Sequence, residues 1–240
     1  MLFDRRITIF VGHFGSGKTE IAVNSALGLA TSGTPVALVD IDVIKPMFRT
    51  RTARDELAAA GVKLIVPEGE HFHADLPIIV PQVRSMVRES AGKVLMDAGG
   101  DDKGARVLGS LSDVVKPDDI DHLLVVNFRR PFSETVELAL EMLAAIETSS
   151  RLRVTGLIAN THLMNETTLD IVEDGVALAR ETARRAGRPL VAAAAVDRFA
   201  DDLAARCPDV PVIRITPRIR APFDQQLRPR RIGPLFAIRR

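Results

Sequence analysis

An apolar run, Ile7-Thr8-Ile9-Phe10-Val11, breaks into Gly12-His13-Phe14-Gly15-Ser16-Gly17-Lys18-Thr19 and then enters Glu20-Ile21-Ala22-Val23-Asn24-Ser25-Ala26-Leu27. Strand, glycine-rich loop and helix in that order leave few folds open. The spacing is that of a phosphate-binding loop, GxxxxGK[ST]. Its glycines let backbone N–H groups turn inward around phosphate oxygens, its Lys neutralises the β and γ phosphates, and its Thr ligates Mg²⁺. A helix starting at the loop adds its positive dipole end to the same anion site. The sequence therefore predicts a nucleoside triphosphate surrounded by Gly12, His13, Phe14, Gly15, Ser16, Gly17, Lys18, Thr19 and Glu20.

The remaining chain alternates apolar strand patterns with amphipathic helix patterns, which predicts a three-layer α/β/α P-loop NTPase fold with a mainly parallel central sheet. At 240 residues one such domain, over residues 1–216, is expected, followed by a basic, Pro-containing tail over 217–240. The single cysteine, Cys207, excludes an intramolecular disulfide framework. No apolar run approaches the roughly 18 residues of a membrane span, and the chain passes from Met1 to Arg6 straight into a core strand. A cytoplasmic protein without a transmembrane segment is the expectation. A net charge of +1 argues against a whole-protein basic surface for nucleic acid.

Val36 to Val39 reads as a buried strand ending in Asp40-Ile41-Asp42. In open parallel sheets ligands sit beyond the carboxyl ends of the strands, so Asp40 and Asp42 are expected beside the phosphates, in Mg²⁺ and water positioning. An ordered loop with Arg49 and Arg51 leads to a helix over 51–60, then a strand over 62–66 and a polar excursion with His71 and His73, read as solvated rather than metal-bound. A helix is expected beyond Pro81, ending by Glu89. Lys93 to Asp97 is a second apolar strand ending in an acid, followed by Ala98, Gly99 and Gly100. Asp97 fits a metal-backing Walker B acid, and Gly99 or Gly100 can bring a backbone N–H to the γ-phosphate.

Further strands are expected over 122–128, 154–163, 189–196 and 210–215, with helices opening at Ser133, at Thr167 or Thr168, and after Asp197. Arg129 and Arg130, at a strand's carboxyl end, can meet a phosphate or an acidic partner, and a surface salt bridge is the expectation. Asn160 ends the 154–163 strand, where its amide can both donate to and accept from a purine edge. A guanine site of the Asn-Lys-x-Asp kind needs an acid where this chain has Leu163, so adenine is expected. In the tail, Arg218, Arg220, Arg228, Arg230, Arg231, Arg239 and Arg240 face one acid, Asp224. Its prolines forbid a long helix, and contact with membrane or nucleic acid through it is not expected.

Taken together, GHFGSGKTE, VDIDVIKPMFR, VLMDAGGD and GLIANTH make the chain resemble the ParA/MinD and cobyrinic-acid-synthase-like branch of P-loop proteins over residues 6 to 216. The resemblance implies ATP and Mg²⁺, with Lys18 and Thr19 on phosphate and metal, Asp40 or Asp42 placing the attacking water, Asp97 behind the metal and Asn160 facing the base. Lys18 and Asp42 are its catalytic residues. It also implies a phosphate-loop strand adjacent to the Asp97 strand, and an ATP-dependent homodimer. Where many members carry an additional Lys after the first glycine, this chain has His13.

The function expected is a slow ATPase that switches an unidentified protein partner. An ATP-dependent carboxylate-activating synthetase or phosphotransferase, with Arg49, Arg51, His71 and His73 around an acid, is the alternative.

Overall fold

A computed structural model describes residues 3–41, 53–65, 79–99, 108–111 and 114–219. An eight-stranded sheet runs in the order β3-β2-β4-β1-β5-β6-β7-β8. Its strands are β1 (Ile7–Val11), β2 (Val36–Asp40), β3 (Lys63–Ile65), β4 (Lys93–Asp97), β5 (Ile120–Val126), β6 (Gly156–Ala159), β7 (Leu190–Val196) and β8 (Val212–Ile215). Every pairing in it is parallel. Parallel pairing requires crossovers, and the helices α1 (Lys18–Thr31), α2 (Arg54–Ala59), α3 (Ile79–Glu89), α4 (Val136–Ser150), α5 (Leu169–Ala186) and α6 (Asp197–Arg206) supply those from β1 to β4 and from β5 to β8.

Strands buried on both faces read as continuous apolar runs, and β1 is buried at every position. Side-chain alternation divides the core. Ile7, Ile9 and Val11 join Val83, Leu143 and Val176 on the face covered by α3, α4 and α5. Phe10 joins Ile21, Ala26 and Leu57 on the face covered by α1 and α2. The three-layer expectation holds, and β1 does lie beside β4.

Several boundaries differ from the sequence reading. The strand expected over 154–163 is only Gly156–Ala159. Thr155 N–H already pairs with His122 O at its start, and beyond Asn160 the chain turns into a short 3-10 helix over Met164–Glu166. The helix expected to open at Ser133 is capped instead by Thr135, whose side chain accepts from Leu138 N–H. Ser133 Oγ closes the turn after β5, donating to Asn127 O at 2.7 Å and to Arg130 O at 3.1 Å. Thr168 caps α5 as expected, and that helix ends on Gly187 at φ 63. No described helix is long and apolar enough to cross a membrane. The tail from residue 220 onward lies outside the described residues.

His122, on β5, is fully buried, with Nδ1 against Arg153 O at 3.2 Å and Nε2 without a partner among the described residues. Burial pushes its pKa down to about 4. The unfolded chain then binds a proton near pH 6.5 that the folded chain refuses, so this contribution to stability is complete above that pH and is lost as pH falls through 4. Chemical denaturation at pH 7 and pH 4 is expected to show a loss of about 3 kcal/mol from this group. In His122→Leu that share of the acid slope disappears; an unchanged slope refutes the assignment.

Candidate nucleotide site

The phosphate loop depends on three glycines at positive φ: Gly12 at 143, Gly15 at 80 and Gly17 at 88. At Gly12 the backbone passes so close to β5 that a Cβ would stand 2.3 Å from Val125 O. At Gly17 a Cβ would stand 2.1 Å from Asn160 Nδ2. Only glycine satisfies both the φ and the space. The turn is closed by Ser16 N–H to His13 O at 3.1 Å. Lys18, buried at the start of α1, folds back over the loop and donates to Gly12 O at 2.8 Å and His13 O at 3.2 Å. Its ammonium thus already sits on the loop that would hold the phosphates.

One flank of the loop is anionic. Asp40 ends β2 and Asp97 ends β4, and the two are register partners in adjacent strands, both fully buried. Side-chain alternation puts them on the α1 face, with Leu38 and Leu95. Thr19, in the first turn of α1, donates Oγ1 to Asp97 Oδ2 at 2.6 Å. No described cluster of three or more His, Cys, Asp or Glu could hold a metal by itself. A hydroxyl with two carboxylates suits a hard cation that takes its other ligands from water and phosphate, which is how Mg²⁺ is commonly held. The residues present therefore fit Mg²⁺.

The other flank, at the ends of β5 and β6, is built of nitrogen donors. Asn160 Nδ2 donates to Ser16 O at 2.6 Å, so its amide buckles the phosphate loop to β6. Asn127, which sequence reasoning passed over, ties the two turns together: its Nδ2 donates to His162 O, and its Oδ1 accepts from Arg129 and His162 N–H. A lone polar residue closing the apolar run Leu123–Val126 was the available signal. Arg129 pairs with Asp174 at 3.4 Å, as a surface salt bridge should. Arg130 has no such acid among the described residues: its Nε and Cζ pack over Gly15, 3.3 and 3.8 Å from where a Cβ would be.

His162 lies in the same place. Burial, and after it the charge of Arg130, lower its pKa to about 4. The ring of His13 rests on that of Phe132 with centroids 5.6 Å apart, while Phe14 is exposed.

Glu20 follows Thr19 but turns away from the loop. Its carboxylate accepts Arg218 N–H at 2.6 Å and Ile219 N–H at 2.9 Å. Burial raises its pKa, against the opposing pull of those bonds. Gly99 is described and buried after β4, whereas Asp42 and Gly100 lie outside the described residues, as do Arg49, Arg51, His71 and His73.

No family model matches the chain. The signal recognition particle protein of Thermus aquaticus is 30% identical over 167 residues, covering 66% of this chain and 35% of that protein. The chain thus spans about a third of the length of that curated relative. Among solved structures, the 54 kDa signal recognition particle protein of Aeropyrum pernix in complex with GDP is 18% identical at a TM-score of 0.50, over 79% of this chain and 41% of that one. FtsY of Mycoplasma mycoides is 18% identical at a TM-score of 0.52, over 78% of this chain and 60% of that one. At such identity the solved structures establish the fold. This is a P-loop nucleoside triphosphatase fold.

The comparisons correct two expectations. The ParA/MinD and cobyrinic-acid-synthase resemblance is not upheld, since the sequence similarity found is to a signal recognition particle protein. ATP is likewise not upheld, because the Aeropyrum pernix structure is a complex with GDP. The adenine reading drew on Asn160 and Leu163, but the Asn160 amide donates to Ser16 O. The motifs that weighed most in the resemblance, from Gly12 to Glu20 and from Lys93 to Gly100, serve phosphate and metal, which every nucleoside triphosphate shares. They say nothing of the base.

Loss of the Asn160 buckle is expected to loosen the loop without unfolding the domain. Asn160→Ala should weaken nucleotide diphosphate binding by about tenfold, the value of one buried hydrogen bond to the loop. Titration calorimetry checks this, and an unchanged affinity removes the role.

Proposed function

We propose that the chain is a Mg²⁺-dependent, guanine-nucleotide-controlled switch that hydrolyses GTP slowly and changes its affinity for a protein partner as it does so. The observation that carries this reading is the anionic flank: two fully buried carboxylates in adjacent strands, one bonded to the Thr19 hydroxyl, beside a loop carrying Lys18. Burying two like charges side by side is costly unless a cation accompanies them. Guanine is supported by similarity to the signal recognition particle protein, together with the GDP complex of the Aeropyrum pernix structure.

In this reading the loop N–H groups from Gly15 to Thr19 bind the phosphates, and Lys18 exchanges its loop carbonyls for β and γ oxygens. Thr19 ligates the metal, with Asp97 and Asp40 holding its water shell. Mg²⁺ held there would supply neutralisation of phosphate charge. Gly99 offers backbone N–H close to the γ-phosphate. Asp42 and Gly100, for which the same roles are proposed, follow directly on Ile41 and Gly99.

A protein partner is supported by the surface around the loop. Among the described residues the exposed large hydrophobic side chains are Phe14, Phe132 and Met164. They stand on the phosphate loop and on the turns after β5 and β6. Phe132 and Met164 hold φ of 67 and 53, a conformation that costs a non-glycine residue about 1 kcal/mol or more. Strain spent on presenting apolar groups to solvent at a nucleotide's edge suits a face that another protein covers.

Purified chain should bind GTP with Mg²⁺ and release phosphate slowly. Lys18→Ala should cost at least about tenfold in affinity. Asp97→Asn should bind nucleotide with little further gain on adding Mg²⁺. Fluorescent nucleotide binding with and without chelator decides the matter: preference for ATP, or binding indifferent to both substitutions, sinks the reading.

A further inference from the structure

The two flanks of the phosphate loop differ in chemical kind. Toward β4 and β2 stand a hydroxyl and two carboxylates; toward β5 and β6 stand an amide, an imidazole and a guanidinium. A nucleotide whose metal sits on the first flank has its base on the second. The chain has Leu163 where an Asn-Lys-x-Asp site places its acid. Something other than a carboxylate must therefore distinguish the purine.

Asn160 Nδ2 is committed to Ser16 O. His162 Nδ1 accepts from Met164 N–H at 3.4 Å, which leaves the proton of the neutral ring on Nε2, and Nε2 lies 3.6 Å from the position of a Gly17 Cβ. With its pKa lowered to about 4, the ring is neutral at pH 7. Arg130 lies along Gly15, and its Nε is buried without an acceptor among the described residues, in contrast to the paired Arg129. A guanidinium has donors and no acceptor. Beside the Asn160 amide, this flank offers a purine edge a pair of donors, from Arg130 and His162.

We propose that Arg130, seconded by His162 Nε2–H, is the base-reading residue of this site, donating to N7 and the 6-oxo oxygen of the purine and so selecting 6-oxopurine nucleotides over adenine. The inference rests on the guanine reading above and supplies its missing acceptor-seeking group. Guanine and hypoxanthine present two acceptors on that edge, whereas adenine presents one acceptor and an amino donor that would face another donor. The 2-amino group of guanine, which a carboxylate would read, goes unread.

Calorimetric titration of the full chain with GDP, IDP and ADP in Mg²⁺, repeated on Arg130→Gln and Arg130→Lys, tests this. GDP and IDP are expected to bind within about threefold of each other, with ADP at least about tenfold weaker. Arg130→Gln, whose amide can donate and accept, should shrink the preference for GDP over ADP to about threefold or less. Arg130→Lys keeps the charge and the stem on Gly15 but not the fork, and should lose most of the same preference, so a folding defect in one variant leaves the other to decide. IDP bound tenfold or more weaker than GDP overturns the proposal, as does a preference unchanged in both variants; either leaves the guanine reading standing. A wild-type preference for ADP overturns the guanine reading and this proposal together.

Discussion

The closeness of Gly12 to β5 is the constraint on which the site depends. β1 lies between β4 and β5, and its chain must leave the sheet directly against the Val125 carbonyl. With no Cβ in the way, the loop turns tightly enough that Lys18 reaches its first carbonyls and α1 starts immediately. A side chain there would push the loop outward and carry Thr19 away from Asp97. The carboxylate flank is thus set by a contact on the opposite side of β1.

Parallel strand order then sorts the chemistry. Because β4 and β2 lie on one side of β1 and β5 and β6 on the other, residues at the four strand ends are delivered to opposite sides of one loop. Alternation does the rest: Asp40 and Asp97 share the α1 face, so acids meet the helix that carries Thr19. The donor side is assembled by Asn127, Asn160 and Ser133, whose side chains bond to backbone rather than to one another. A backbone held in this way keeps Arg130 over Gly15, its Nε without an acceptor among the described residues.

What the sequence disclosed follows the same division. Gly12, Lys18, Thr19 and Asp97 sit in local patterns where spacing alone implies geometry, and the structure brings them together. The strand alternation was equally local, so the three-layer sheet was legible throughout. The donor-lined flank was not, because it comes from two turns that are 33 residues apart along the chain and meet through pairing of β5 with β6, as the bond from Phe128 N–H to Thr161 Oγ1 shows. Asn160 carried a reading of adenine on the strength of its position, yet its amide serves Ser16. The same limit misdirected the family resemblance, which drew on phosphate motifs common to separate branches of one fold.

Glu20 shows how the remaining end of the chain is drawn into this arrangement. Its carboxylate holds the N–H groups of Arg218 and Ile219, Asn24 one turn later exchanges hydrogen bonds with Thr216, and Arg218 Nε reaches Glu56 on α2 at 2.8 Å. The segment leaving β8 is therefore laid across the first turns of the helix that begins at the phosphate loop. Surface ion pairs such as Arg218 with the half-exposed Glu56 contribute little, but the Glu20 carboxylate is largely buried and its donors are backbone, so losing those bonds would leave a desolvated group behind. The two helices so joined, α1 and α2, bracket β2, which carries Asp40 to the side of Asp97. Any displacement of α1 that follows the phosphates must accordingly move, or break, the contacts at the root of the C-terminal segment.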